Sequence, residues 1–127
     1  MLFRSIVTHN LEQRVLFWPA VKQAELPRFY VAADAGCWPR EASMAMLEAA
    51  ACGLPIIIAK GELEQRVRYG NGLEYQEGNI NNLSECITQL AQNLDQTRQM
   101  GYLSRRLVEE HYSWTEINRQ FMAAYQP

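Results

Sequence analysis

A three-layer α/β domain built on a parallel sheet of about four short strands is the fold class this sequence predicts. Three observations predict it. Short apolar runs alternate with segments whose apolar residues recur at helical spacing. Ile56-Ile57-Ile58 is apolar without alternation, the pattern of a strand covered on both faces by helices. Between Ser43 and Pro55, a run of small residues closed by Gly53-Leu54-Pro55 reads as a helix lying close on the sheet, followed by a tight turn.

Taken in order, Leu2, Phe3, Ile6, Val7 and Leu11 recur at helical spacing and predict an opening amphipathic helix. Arg14 to Trp18, a run of β-branched and aromatic residues stopped by Pro19, predicts a strand. Gln23 to Ala33 carries Leu26, Phe29, Tyr30 and Ala33 on one side, with Pro27 tolerable in a first helical turn, and Asp34 closes it. Ala35 to Trp38 is the next strand, Ser43 to Ala51 the small-residue helix, and Ile56 to Ile58 the buried strand. Gly61 to Tyr69 reads as a short helix or turn, and Gly70-Asn71-Gly72 as a turn before a strand at Leu73 to Tyr75. Leu83, Ile87, Leu90 and Leu94 stripe one helix with Asn81 or Asn82 as its N-cap. Met100, Leu103 and Leu107 stripe the next. Trp114, Ile117, Phe121 and Tyr125 stripe a last helix capped by Ser113, a stripe that is most often core. The pattern is that of a Rossmann-like domain that enters on a helix and is short of strands.

Composition narrows the function classes. A length of 127 residues makes one domain the default, with 48% hydrophobic and 20% charged residues in the range of soluble globular proteins. A net charge of -2 with no Lys/Arg cluster argues against nucleic acid as a partner. Cys37, Cys52 and Cys86 are odd in number, lack CxxC spacing and sit in apolar segments, so buried free thiols of a reducing, cytoplasmic compartment are expected, with no metal site. Met1-Leu2-Phe3 is followed at once by Arg4, unlike a secretory signal. The apolar run Ala49 to Ala59 is shorter than the ~20 residues of a membrane span. No P-loop, GxGxxG, HExxH or GxSxG pattern occurs.

The chemistry concentrates in Asp34 to Ala59. A strand that empties through a polar loop into a helix N-terminus is where open α/β sheets hold ligands, phosphates above all. Glu41 and Glu48 stand at the mouth of that helix. First-turn N–H groups near Ser43 offer about half a positive charge to a phosphate. The Ser43 hydroxyl either caps the helix or donates to a phosphate. Ala42 and Ser43 are small enough for close ligand approach, and Glu48 shares a helix side with Met44. An ionised carboxylate at Glu48 has the lone pairs to accept two hydrogen bonds from a ligand. The plain alternative is an N-cap serine and a helix glutamate that favours the dipole. His9 and His111 read as surface or capping residues, and Arg98, Arg105 and Arg106 as a solvated helix face.

ELPRFYVAADAGCWP, then SMAMLEAAACGLPII, then NGLEY, then SWTEINRQFMAAY together resemble the nucleotide-binding C-terminal half of retaining GT-B glycosyltransferases, the glycosyl transferases group 1 family. The likeness runs from about Val15 to Tyr125, and LEAAACGLPII is its most specific part. It implies that part of the Trp114, Phe121 and Tyr125 stripe is an interface toward the other domain rather than core. The resemblance implies that residues 1–127 are a single, partial donor-binding domain. The acceptor domain that faces it in this family would be missing, as would the first βα units with their diphosphate-neutralising Arg and Lys. In the family seven residues separate two glutamates, whereas six (42–47) separate Glu41 from Glu48, and Arg40 stands eight before Glu48. Either the loop is one residue shorter or Arg40 replaces the first acid. By resemblance Glu41 takes the catalytic position near the transferred sugar. Arg40, Ala42, Ser43, Met44 and Glu48 line the nucleotide-sugar, with Glu48 on the ribose.

The function so implied is donor binding in a hexosyltransferase. It moves sugar from a UDP- or GDP-type nucleotide-sugar to a saccharide or lipid acceptor without a cofactor, and the isolated chain is inactive. The alternatives are a non-catalytic α/β module that forms a homodimer through its sheet edge, and another GT-B protein such as a sugar-nucleotide epimerase or a phosphorylase-like protein.

Overall fold

The computed structural model describes residues 2–39, 43–61 and 66–125, with side chains from Ser5 onward. Helix α1, Leu2–Thr8, opens the chain and buries Ile6. The predicted strand at Arg14 to Trp18 does not form. Arg14 closes a turn and residues 15–22 follow an irregular path, with Leu16 77% and Trp18 66% exposed. Among the described residues no strand pairs with this run, and β propensity without a partner fixes nothing. Trp18 instead meets Phe29 edge-on at 5.5 Å.

A 3-10 turn at Gln23–Glu25 leads into α2, Leu26–Ala32, with Pro27 in its first turn, where no intrahelical N–H is needed. Strand β1, Gly36–Trp38, follows, then α3, Met44–Ala51, and β2, Ile56–Ala59. The end of α3 is a Schellman turn. Gly53 takes φ 83°, its N–H donates to the Ala50 carbonyl at 2.9 Å, and the Leu54 N–H donates to that of Ala49 at 3.1 Å. Strand β3, Gly72–Tyr75, completes a three-stranded parallel sheet in the order β1-β2-β3, with Gly36 beside Ile56 and Ile56 beside Gly72. The expectation of about four strands is corrected to three among the described residues.

Helix α4 spans Ile80–Gln92 and α5 spans Leu94–Leu107. The α4 cap is neither Asn81 nor Asn82 but Asn79, whose side chain accepts the Asn82 N–H at 3.0 Å. Leu94 belongs to the start of α5. A π-helical turn, Val108–Tyr112, links α5 to α6, Trp114–Ala124, whose N-cap Ser113 accepts the Glu116 N–H at 3.3 Å.

Side chains alternate across β2 and feed two cores. Ile57 packs with Tyr75, Cys86, Leu90 and Met100 under α4 and α5. Ile56 and Ile58 pack with Met46, Val67 and Trp38 under α3. Fully buried Asn71 ties the far end of the sheet. Its Nδ2 donates to the Arg66 carbonyl at 2.7 Å, and its carbonyl accepts the Ser104 hydroxyl at 2.9 Å. Gly70 and Asn71 therefore form the turn, and Gly72 opens β3.

Two further expectations are corrected. The α6 stripe is not core: Trp114, Ile117, Phe121 and Tyr125 are all exposed, Trp114 at 79%. Of the thiols only Cys86 is buried, Cys52 being half-buried and Cys37 exposed on the edge strand. His9 is exposed, while His111 stacks on Tyr69 at 5.2 Å. The solvated arginines pair within α5 and the following turn, Arg98 with Asp95, Arg105 with Glu109 and Arg106 with Glu110. No helix among the described residues is long and apolar enough to cross a membrane.

Candidate functional site

Parallel strands point their carboxyl ends the same way, so Trp38, Ala59 and Tyr75 finish on one edge of the sheet. The chain leaves that edge at Pro39 and enters α3 at Ser43. Arg40, Glu41 and Ala42 lie outside the described residues. Ser43 has the extended backbone of an N-cap residue (φ -134°, ψ 162°), yet its hydroxyl makes no cap hydrogen bond. Ser43 is exposed, and Met44 behind it is 69% exposed. This helix mouth is open to solvent.

Tyr75 anchors the loop's first residue. Its buried phenol donates to the Pro39 carbonyl at 2.5 Å, holding the end of β1 against β3. Burial, then the neighbouring Cys37 and Glu77, push this phenol above its usual range, so it stays a donor.

Glu48 is half-buried on the α2 side of α3. Gln23 Nε2 donates to its Oε1 at 3.0 Å, and Tyr30 Oη donates to its Oε2 at 3.5 Å. A groove of about 290 Å³ opens here, bounded by Gln23, Pro27, Tyr30, Glu48, Ala51 and Cys52. A carboxylate held at its two oxygens keeps further lone pairs for a polyol. Gln23, Tyr30 and Tyr75 were not among the sequence candidates. Their contacts span 25, 18 and 36 residues, beyond any motif spacing.

A family model described as "Glycosyl transferases group 1" matches residues 2–93. The chain belongs to that family. This bears out the resemblance over its first part and includes the opening helix, while SWTEINRQFMAAY lies beyond the matched residues. Among solved structures, a sucrose-phosphate synthase from Thermosynechococcus elongatus superposes with a TM-score of 0.83 at 25% identity. The match covers 97% of this chain and 34% of that one, so the chain spans about a third of that protein's length. No curated protein sequence matches. Group 1 membership and the superposition make the sheet and its helices a GT-B, Rossmann-like unit.

Proposed function

We propose that this group 1 glycosyltransferase unit binds the nucleotide-sugar donor, a UDP- or GDP-hexose, at the mouth of α3, in a single domain formed by the whole chain. The observation that carries the reading is Glu48 (on α3, past the open Ser43 mouth), half-buried beside a groove with both oxygens already oriented. In this reading the first-turn N–H groups at Ser43 and Met44 face the diphosphate, Arg40 and Ala42 contact it from the loop, and Glu48 accepts the ribose hydroxyls. Glu41 stands near the transferred sugar. Catalysis in such a site is electrostatic, through stabilisation of the leaving diphosphate and positioning of the sugar, and needs no cofactor.

Acceptor chemistry falls to polypeptide beyond this unit, an N-terminal acceptor domain, and the isolated chain binds donor without measurable turnover. A reducing cytoplasmic setting fits the three thiols, none of which is paired. Calorimetric titration of UDP and GDP tests the reading. One of them binds, and Glu48→Gln weakens it about tenfold, the loss of one charge-assisted hydrogen bond. Silence from both at millimolar concentration, in a folded sample, defeats it. Robust hexosyl transfer by the chain alone defeats the claim of inactivity.

A second reading has its own support. β1 is an edge strand, and an apolar groove of about 350 Å³ lined by Ala35, Cys37, Ile57, Ile87, Leu90 and Leu94 opens beside it. Edge pairing between two copies covers both. Sedimentation at micromolar concentration discriminates, since a stable monomer excludes the homodimer.

A further inference from the structure

Glu48 sits on α3, but what fixes it comes from α2 and the turn before it. Gln23 lies in the 3-10 turn and Tyr30 near the end of α2, so the two donors approach the carboxylate from two consecutive elements. A glutamate on a helix surface otherwise samples several rotamers, and ordering it on binding costs affinity. Here one oxygen has a donor from the 3-10 turn and the other a donor from α2, and the groove lies alongside. Burial first, then the Glu48 charge, raise the Tyr30 phenol above its ordinary range, so this donor stays protonated. Neither donor is an ion, so the pair orients Glu48 without neutralising it.

We infer that Gln23 and Tyr30 are positioning residues that hold the Glu48 carboxylate in a preset orientation for a vicinal diol, the ribose of a nucleoside diphosphate. The inference rests on the donor-binding reading above. Its signature is selective: loss of either donor weakens a ligand with both ribose hydroxyls and leaves one without them unchanged. Loss of packing between α2 and α3 weakens both alike.

The experiment is titration of the 127-residue chain with whichever of UDP and GDP binds, and with its 2′,3′-dideoxy counterpart. The variants are Gln23→Leu, Tyr30→Phe and Glu48→Gln. Gln23→Leu and Tyr30→Phe each weaken the ribonucleotide about three- to tenfold and leave the dideoxy ligand within error of the parent. Equal weakening of both ligands overturns the inference in favour of packing. A loss on Glu48→Gln with parent-like Gln23→Leu and Tyr30→Phe overturns the inference and leaves the donor reading intact. Parent-like binding by Glu48→Gln, or silence of the parent towards both nucleotides, overturns the two together. Circular dichroism checks folding. Gln23 is exposed, so its variant carries the test even if Tyr30→Phe does not fold.

Discussion

Gly53 and Gly101 meet backbone to backbone where α5 crosses the end of α3. A Cβ on Gly101 would run into the Gly53 carbonyl, with Pro55 close behind. Gly53 cannot move away, because its left-handed backbone and two turn hydrogen bonds close α3. We expect Gly101→Ala to lower unfolding free energy by about 1–3 kcal/mol, the cost of forcing bulk into a packed contact, despite alanine's better helix propensity. Urea unfolding measures it. A stabilised Gly101→Ala chain contradicts the close crossing.

Ile57 is the side chain on which the second prediction rests. It lies on the central strand, 1% exposed, and packs against Tyr75, Cys86, Leu90 and Met100. Ile57→Ala is expected to cost about 2–5 kcal/mol and Ile57→Val about 0.5–1.5 kcal/mol. Thermal and urea melts of the pair give the ratio. Equal small losses mean that the interior collapses around the cavity.

Removing the Tyr75 hydroxyl frees Pro39. Tyr75→Phe is expected to cost about 1 kcal/mol in stability, since Pro39 is an exposed residue and water can replace the donor. The same variant reduces alkaline destabilisation. A phenol raised by burial contributes stability that is complete below its ordinary value of 10.0 and is lost as pH climbs through the raised value. Melting temperatures between pH 8 and 11 report it. Identical alkaline limbs for parent and variant exclude that role.

At the acid end, Glu116 is the sensitive group. Hydrogen bonds from Arg119 and then Gln120 hold its carboxyl down, from 4.5 to about 2. A depressed carboxyl adds stability above its unfolded value, and that share fades as pH falls from about 4.5 towards 2. Amide protection in α6, measured against the intrinsic exchange rate at each pH, should therefore fall over this window, and Glu116→Gln should flatten the response. The Ser113 cap does not titrate and persists. Protection in α6 that stays constant from pH 4.5 to about 2 in both forms rules the pair out as a contributor.

Much of the architecture was legible because it depends on local pattern. The uninterrupted Ile56-Ile57-Ile58 run needed cover on two faces and has it. Gly53 and Ser113 marked helix ends because few residues fit those backbones or donate those bonds. Where several residues fit equally, pattern failed. Asn79, Asn81 and Asn82 crowd the start of α4, and only the fold selects Asn79. Arg14 to Trp18 has strand-like residues, but a strand exists only through a neighbour. The α6 stripe has the right spacing for a packed face, yet spacing does not say what covers it.

The sequence by itself determined a parallel α/β framework and the place where a strand empties into the α3 mouth at Ser43, together with an acid at Glu48. Those follow from periodicity, glycine stereochemistry and neighbours on one helix. Only the tertiary structure decided that Gln23 and Tyr30 clasp that acid and that Tyr75 pins Pro39. It also decided that Gly101 lies against Gly53. Such contacts join residues far apart in the chain, where no local spacing records them and only the packing of whole elements brings the atoms within reach.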